Sequence, residues 1–269
     1  MNYRHAFHAG NFADCLKHAV LVWLVRALQR KPGAIAVLDT HAGRGTYDLS
    51  SPEAQRTGEW RAGIGRLADP DPLLADYVAL ATAEPGAYPG SPALIRALLR
   101  PQDRLIACEL HPEEHAALRA RYARDRQVAV HRRDAWEAIG ALLPLAERRG
   151  LVLIDPPYEQ PDDRDRLLAG LRAGHARFRT GVFAAWYPIK DAAGRRMLHE
   201  GIAASGIRDV VAAELLLRAP IDAARLNGCG MLVVNPPWGF ADWAAPALAA
   251  LSTALSDGAE APVTRLVGE

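Results

Sequence analysis

From Ala34 to Leu38 the chain runs apolar without a polar break and then meets Asp39, and this shape recurs. DRLIACELHP ends at Glu109, QVAVHRRDAW ends near Asp134, and LVLI stops before Asp155. GVFAAWYP starts at Gly181, another run spans about Asp209 to Leu217, and MLVV stops before Asn235. Short continuous apolar runs bounded by polar and turn residues are what strands buried on both faces look like. EEHAALRARYARD and AWEAIGALLPLAERR between them carry helical spacing, so the pattern predicts βαβα units and a mostly parallel, seven-stranded sheet of the α/β, Rossmann-like class. Ahead of it, NFADCLKHAVLVWLVRALQR places Leu16, Val20, Trp23, Leu24 and Leu28 on one helical face, with Asn11 as cap and Asp14 three residues on. YRHAFHAGN before it has no periodicity and reads as a mobile or induced-order arm that closes over a bound base and cofactor.

One interval is too long. Between Asp39 and Glu109 there are 70 positions (109 − 39), where a strand–helix–strand unit needs only about 30. Residues 50–88 therefore read as an inserted helical subdomain, and 1–49 with 89–269 as the main domain. YPGSPALIRALLR resumes the main domain, with Ser91 expected as helix cap and Pro92 at the first helical position. Near the other end, RAPIDAARLNGCG is short and broken by Pro220, Gly228 and Gly230, which leaves no room for a crossover helix. The last strand is thus expected to run antiparallel, with Asn235 ending it and Trp238 packed beneath.

Composition changes this picture little. At 269 residues, half of them hydrophobic, the chain can bury a substantial core, and a net charge of +1 excludes a basic nucleic-acid coat. Cys15, Cys108 and Cys229 are too scattered for a zinc knuckle or disulfide framework and suit a reducing cytoplasm. AVLVWLV at 19–25 is too short to span a bilayer. His5, His8 and His18 lack a carboxylate or thiol at ligand spacing, so no metal is expected.

The chemistry gathers at strand ends. A glycine turn, DTHAGRG, lets backbone approach a ligand, and an acid ending the second strand, Glu109, accepts from ribose hydroxyls. Asp134 is placed to accept from an adenine amine. The turn lacks the full dinucleotide fingerprint, which favours a smaller adenosine ligand over a nicotinamide cofactor. LVLIDPPYEQ then supplies Asp155 and the Pro156 carbonyl as rigid acceptors that can take both N–H bonds of a planar amine and free its lone pair. Tyr158 would stack on the base. NPPW looks like a second copy, but on an antiparallel strand its end faces the opposite edge, so Asn235 reads as a strand terminator.

YRHAFHAGNFADCLKH, LDTHAGRG, RTGE, YPGSP, ELHP, LIDPPYE, WYP and NPPW, in this order over almost the whole chain, resemble the RlmJ family of 23S ribosomal RNA adenine methyltransferases. The resemblance implies S-adenosylmethionine as methyl donor and 23S rRNA as partner, with no membrane, for a chain expected to act as a monomer. It places cofactor contacts on His18, His41, Ser91, Glu109 and Asp134, to which the reading of the strand ends adds Gly43, Ala135 and Asp155. Catalysis falls to Asp155, Pro156 and Tyr158, and substrate contact to Tyr3 and Tyr158, with Arg4 and Lys17 as phosphate contacts. Ala135 stands where the family often has glycine, which weakens any special backbone geometry there. A DNA adenine or protein glutamine methyltransferase, or a non-catalytic RNA-binding protein on the same fold, remains open.

Overall fold

The computed structural model of the chain describes residues 4–268. Helix α1 (Phe12–Gln29) precedes β1 (Ala36–Asp39), short strand β2 (Thr46–Asp48), helices α2 (Pro52–Thr57), α3 (Glu59–Ala62) and α4 (Ala75–Ala81), short strand β3 (Ala87–Pro89) and α5 (Ser91–Leu98). Alternation follows through β4 (Arg104–Cys108), α6 (Pro112–Arg121), β5 (Val128–His131), α7 (Ala135–Leu142), β6 (Gly150–Ile154), α8 (Asp163–Arg177), β7 (Val182–Ile189) and α9 (Ala192–Ala203). The chain closes with β8 (Val210–Leu216), β9 (Gly228–Val234), α10 (Phe240–Leu255) and β10 (Val263–Val267).

The main sheet has the order β10-β8-β9-β7-β6-β1-β4-β5. From β7 to β5 every pairing is parallel, while β9 lies antiparallel to both β7 and β8. The carboxyl ends of β1, β4, β5, β6 and β7 therefore share one edge. Strand order reverses around β1, which opens a crevice there of the kind α/β sheets use for ligands.

Alternation along β1 shows how the sheet is covered. Ile35 and Val37 pack into a layer with α1, while Ala36 and Leu38 face the layer that α7 and α8 cover. Helix α1 is buried on most sides, with Leu16, Val20, Leu21, Leu24 and Val25 all at 0% exposure. Each such side chain contributes about 2 kcal/mol of transfer free energy. Asn11 caps the helix, accepting from the backbone N–H groups of Ala13 and Asp14, and Asp14 reaches back to the Gly10 N–H at 2.9 Å. Among the described residues no helix is long and apolar enough to cross a membrane.

Four details depart from the expectations. The sheet has an eighth strand, β10, on its far edge; its VTRLV pattern is half exposed and too weakly apolar to read as buried. Ser91 does not cap α5: Gly90 holds the cap position and Ser91 is already helical, because its hydroxyl is committed to Asp39. Trp238 is 89% exposed rather than packed beneath Asn235. Residues 4–11 do not form a free arm, since His5–Phe7 makes a 3-10 turn, Thr57 donates to the Phe7 carbonyl and Arg56 lies over the Phe7 ring at 4.3 Å.

Asn235 does end β9 at the opposite edge. Its backbone sits in the left-handed region at φ 50°, which asparagine tolerates better than most side chains. Its amide donates to the Arg179 and Gly181 carbonyls at 2.8 Å each, tying β9 to the start of β7.

Candidate active site

At the carboxyl edge of the sheet lies a cleft of about 1050 Å³. Its first wall is the turn after β1. Gly43 and Gly45 have φ of 61° and 95°, and a Cβ on Gly43 would stand 2.3 Å from the Tyr47 hydroxyl. Only glycine fits without a shift, so the backbone itself forms the cradle. Glu109 is bound to this turn: its carboxylate accepts from the Gly43 N–H at 2.8 Å and the His111 N–H at 2.7 Å. Burial raises the Glu109 pKa, and those backbone N–H groups pull it back. Each carboxylate oxygen keeps a lone pair for a ligand hydroxyl.

Asp39 plays a different part from the other acids. It is fully buried and takes the Ser91 hydroxyl at 2.7 Å, and burial pushes its pKa up to about 7. It sets the orientation of Ser91, which lines the cleft. His18 also lines the cleft at 1% exposure, with Nδ1 at 2.7 Å from the Tyr88 hydroxyl. Burial lowers its pKa to about 3, so the ring is neutral, and its buried Nε2 has no protein partner. A buried polar atom left without a partner at a cleft wall calls for a ligand group. Asp134 stands just beyond β5 as the cap of α7, one oxygen accepting from Trp136 N at 2.9 Å and Glu137 N at 3.2 Å. Its other oxygen and Ala135 complete this wall.

The second wall is the DPPY loop after β6. The Asp155 N–H points at His41 Nδ1 at 3.3 Å. Burial lowers the His41 pKa to about 4, so the ring is neutral, and the donating Asp155 N–H assigns Nδ1 as its acceptor nitrogen. Asp155 Oδ2 lies 2.6 Å from Lys17 Nζ, which is also 2.8 Å from Asp14 Oδ1. Lys17 has only 6% of its side chain exposed, so it is not disposed as a surface phosphate contact; it is the counter-ion of two carboxylates. Burial opposes its charge, and Asp14 and Asp155 outweigh that and hold its pKa well above the usual range. Burial likewise opposes ionised Asp14, but His5 and Lys17 keep its pKa well below normal. With Oδ2 held by Lys17, Asp155 has Oδ1 for an incoming group. Pro156 and Tyr158 line the same space; Tyr158 has φ 49° and meets the Trp186 ring edge-on at 5.7 Å.

The structure thus brings His18, His41, Gly43, Ser91, Glu109 and Asp134 into one cleft with Ala135, Lys17, Asp155, Pro156 and Tyr158. Arg4 is outside it and pairs with Glu113 at 3.6 Å, both well exposed. Tyr3 lies outside the described residues. Sequence reasoning missed Asp14, which was absorbed as a capping acid; its spacing of three from Lys17 was the available signal. It also assigned no role to Trp136 and Trp186, two aromatic walls of the cleft.

Known proteins resemble this chain over most of its length. A family model described as "Ribosomal RNA large subunit methyltransferase D, RlmJ" matches residues 32–264. The "Ribosomal RNA large subunit methyltransferase J" of Haemophilus influenzae is 42% identical over 247 residues, 88% of each chain. The Escherichia coli protein of the same description is 41% identical over 88% of each. A crystal structure of a Legionella pneumophila protein superposes with a TM-score of 0.88 at 31% identity, covering 96% of this chain and 98% of its own. A probable spermidine synthase from Corynebacterium glutamicum, 12% identical with a TM-score of 0.50 over 94% of this chain and 76% of its own, shares the fold alone.

Proposed function

The chain belongs to the RlmJ family of large-subunit ribosomal RNA methyltransferases, and from that premise we propose that it uses S-adenosylmethionine to methylate the exocyclic N6 amine of one adenine in 23S rRNA. The observation that carries this is Asp155 at the tip of β6, held at 2.6 Å by a buried lysine in the same cleft as the Gly43 turn and Glu109. When bound, the cofactor supplies an electrophilic sulfonium methyl for direct in-line transfer. The residues present fit it: the glycine cradle accepts a close-lying ligand, Glu109 offers acceptors to ribose hydroxyls, and Asp134 offers one to the adenine amine. His41, Ser91, Ala135 and the unpartnered His18 Nε2 complete the cofactor side.

Opposite them, Asp155 Oδ1 and the Pro156 carbonyl take the two N–H bonds of the target amine. That arrangement favours a pyramidal nitrogen with its lone pair turned outward, and it costs no reorganisation because Lys17 and the two prolines have fixed the acceptors beforehand. Asp155 is then placed to receive the proton that methylation makes acidic. Tyr158, braced by Trp186, covers the base face. Residues 50–88 serve as an inserted subdomain whose neck is the antiparallel β2–β3 pair, with residues 4–11 on the substrate side. The enzyme works as a monomer in the cytoplasm, where its three buried, free thiols stay reduced.

The test is methylation of protein-free 23S rRNA with labelled cofactor, followed by mapping of the product. One N6-methyladenine is the expected outcome, and an RNA left without label, or labelled at a group other than an adenine N6, would sink the proposal. In the same assay Asn235→Ala is expected to keep transfer within about twofold of the parent. Its unfolding free energy should fall by about 1–2 kcal/mol, because two hydrogen bonds are lost at the far edge. A turnover loss as large as for Asp155 variants would place chemistry at both proline pairs.

A further inference from the structure

Lys17 and Arg4, the cations expected to meet RNA phosphates, are engaged with carboxylates. A different set of cations stands uncompensated. Arg119, Arg124, Arg126 and Arg132 are exposed on α6, the following turn and the end of β5, and Arg133 lines the cleft itself. None of the five forms an ion pair among the described residues.

The acids of this stretch are turned elsewhere. Glu113 faces Arg4, Glu114 pairs with Arg44 at 2.6 Å, and Asp125 pairs with Arg96. Asp134 caps α7, and Glu109 accepts backbone N–H groups. On a chain whose formal charge is only +1, this is a local excess of positive charge with a direction. Strand β5 is the last strand of the sheet. At about 3.3 Å of rise per residue, the line from Arg126 to Arg133 covers roughly 20 Å along that edge and ends in the cleft.

We propose that the α6–β5 edge is a phosphate track, on which arginine forks hold the RNA backbone flanking the target adenine and lead it to Arg133. Guanidinium groups suit this task because their paired donors match phosphate oxygens. The track rests on the function proposed above and deepens it by naming the surface that binds the polymer. An edge strand also carries charge simply to prevent pairing with another chain, and the experiment separates the two roles.

Filter binding of protein-free 23S rRNA would be measured from about 50 to 200 mM salt. The variants are the parent and the fourfold Arg119→Gln, Arg124→Gln, Arg126→Gln, Arg132→Gln protein. The track requires the slope of log Kd against log salt to fall by roughly 3, so that the variant's loss of affinity grows as salt is lowered. Cofactor affinity and thermal midpoint should stay at parental values. A control with Arg26, Arg104, Arg196 and Arg225 changed to Gln removes as much charge from other exposed positions and should alter the slope by less than about 1. Four Arg→Lys changes on the track should restore the parental slope. A track variant with an unchanged slope, or a control variant that matches it, overturns the proposal. Because binding is read without turnover, a parent that binds RNA but methylates none would overturn the methyl-transfer reading while the slopes still decide the track.

Discussion

Asp155→Asn is expected to lower the rate of methyl transfer about 10³-fold, equivalent to about 4 kcal/mol of transition-state stabilisation, with cofactor affinity within about threefold of the parent. The reason lies in Lys17. Its ammonium sits where Oδ2 accepts, so an amide at residue 155 must turn its oxygen toward the lysine and its NH2 toward the target amine. Donor would then face donor at the point where an acceptor is needed. The fold should survive, because Asp14 still compensates Lys17 at 2.8 Å. Single-turnover measurements with labelled cofactor check this, and a variant within about tenfold of the parent would remove Asp155 from the chemistry.

The largest stability effect is expected on the other side of β7. Glu214 is fully buried and accepts from the Tyr187 hydroxyl at 2.7 Å and from Arg195 at 2.8 and 2.5 Å. Burial alone would raise its pKa, but hydrogen bonds from His199, Arg195 and Tyr187 hold it at about 2. Arg195→Met leaves a buried carboxylate short of its main counter-ion and should cost about 3 kcal/mol, lowering the midpoint of thermal unfolding by roughly 6–12 °C. The sign of the pH dependence follows. A depressed carboxyl contributes stability that is present above its ordinary value near 4.5 and lost as pH falls toward about 2. In Arg195→Met the Glu214 pKa rises toward or above its ordinary value, so acid removes less stability from the variant than from the parent, and the deficit should be largest at pH 7 and smaller at pH 4. Adding Glu214→Gln should recover part of the loss. Denaturant unfolding at pH 7 and pH 4 would show this, and a single variant within about 1 kcal/mol of the parent at pH 7 would contradict it.

How much could be read from the residues alone depends on what each contact needs. The five parallel strands and the reversed β9 were legible because buried strands write themselves as aliphatic runs and because RAPIDAARLNGCG is too short for a crossover. Strand β10 was not, since an edge strand with Thr264 and Arg265 exposed carries no such run. The cleft residues at strand ends were legible for the same reason the strands were: Glu109 and Asp155 each follow a buried run. The Lys17–Asp155 pair was not, because it joins residues 138 positions apart, and spacing informs only on neighbours along one element. Ser91 shows the competition between levels: a good capping residue gives up the cap when a buried acid, Asp39, needs its hydroxyl more. The exposed Trp238 has no structural explanation.

Helix α1 lies outside the span of the family match, which begins at residue 32, yet it donates Asp14, Lys17 and His18 to the cleft and fills the trough beneath β6 and β9. A gene trimmed to the matched boundary would retain the DPPY loop and the glycine turn in full. It would nevertheless encode a protein with a greasy gash down one face and a lone negative charge where a neutralised pair had been. Domain borders drawn from recurring sequence and borders drawn from what must touch are, for this molecule, different lines.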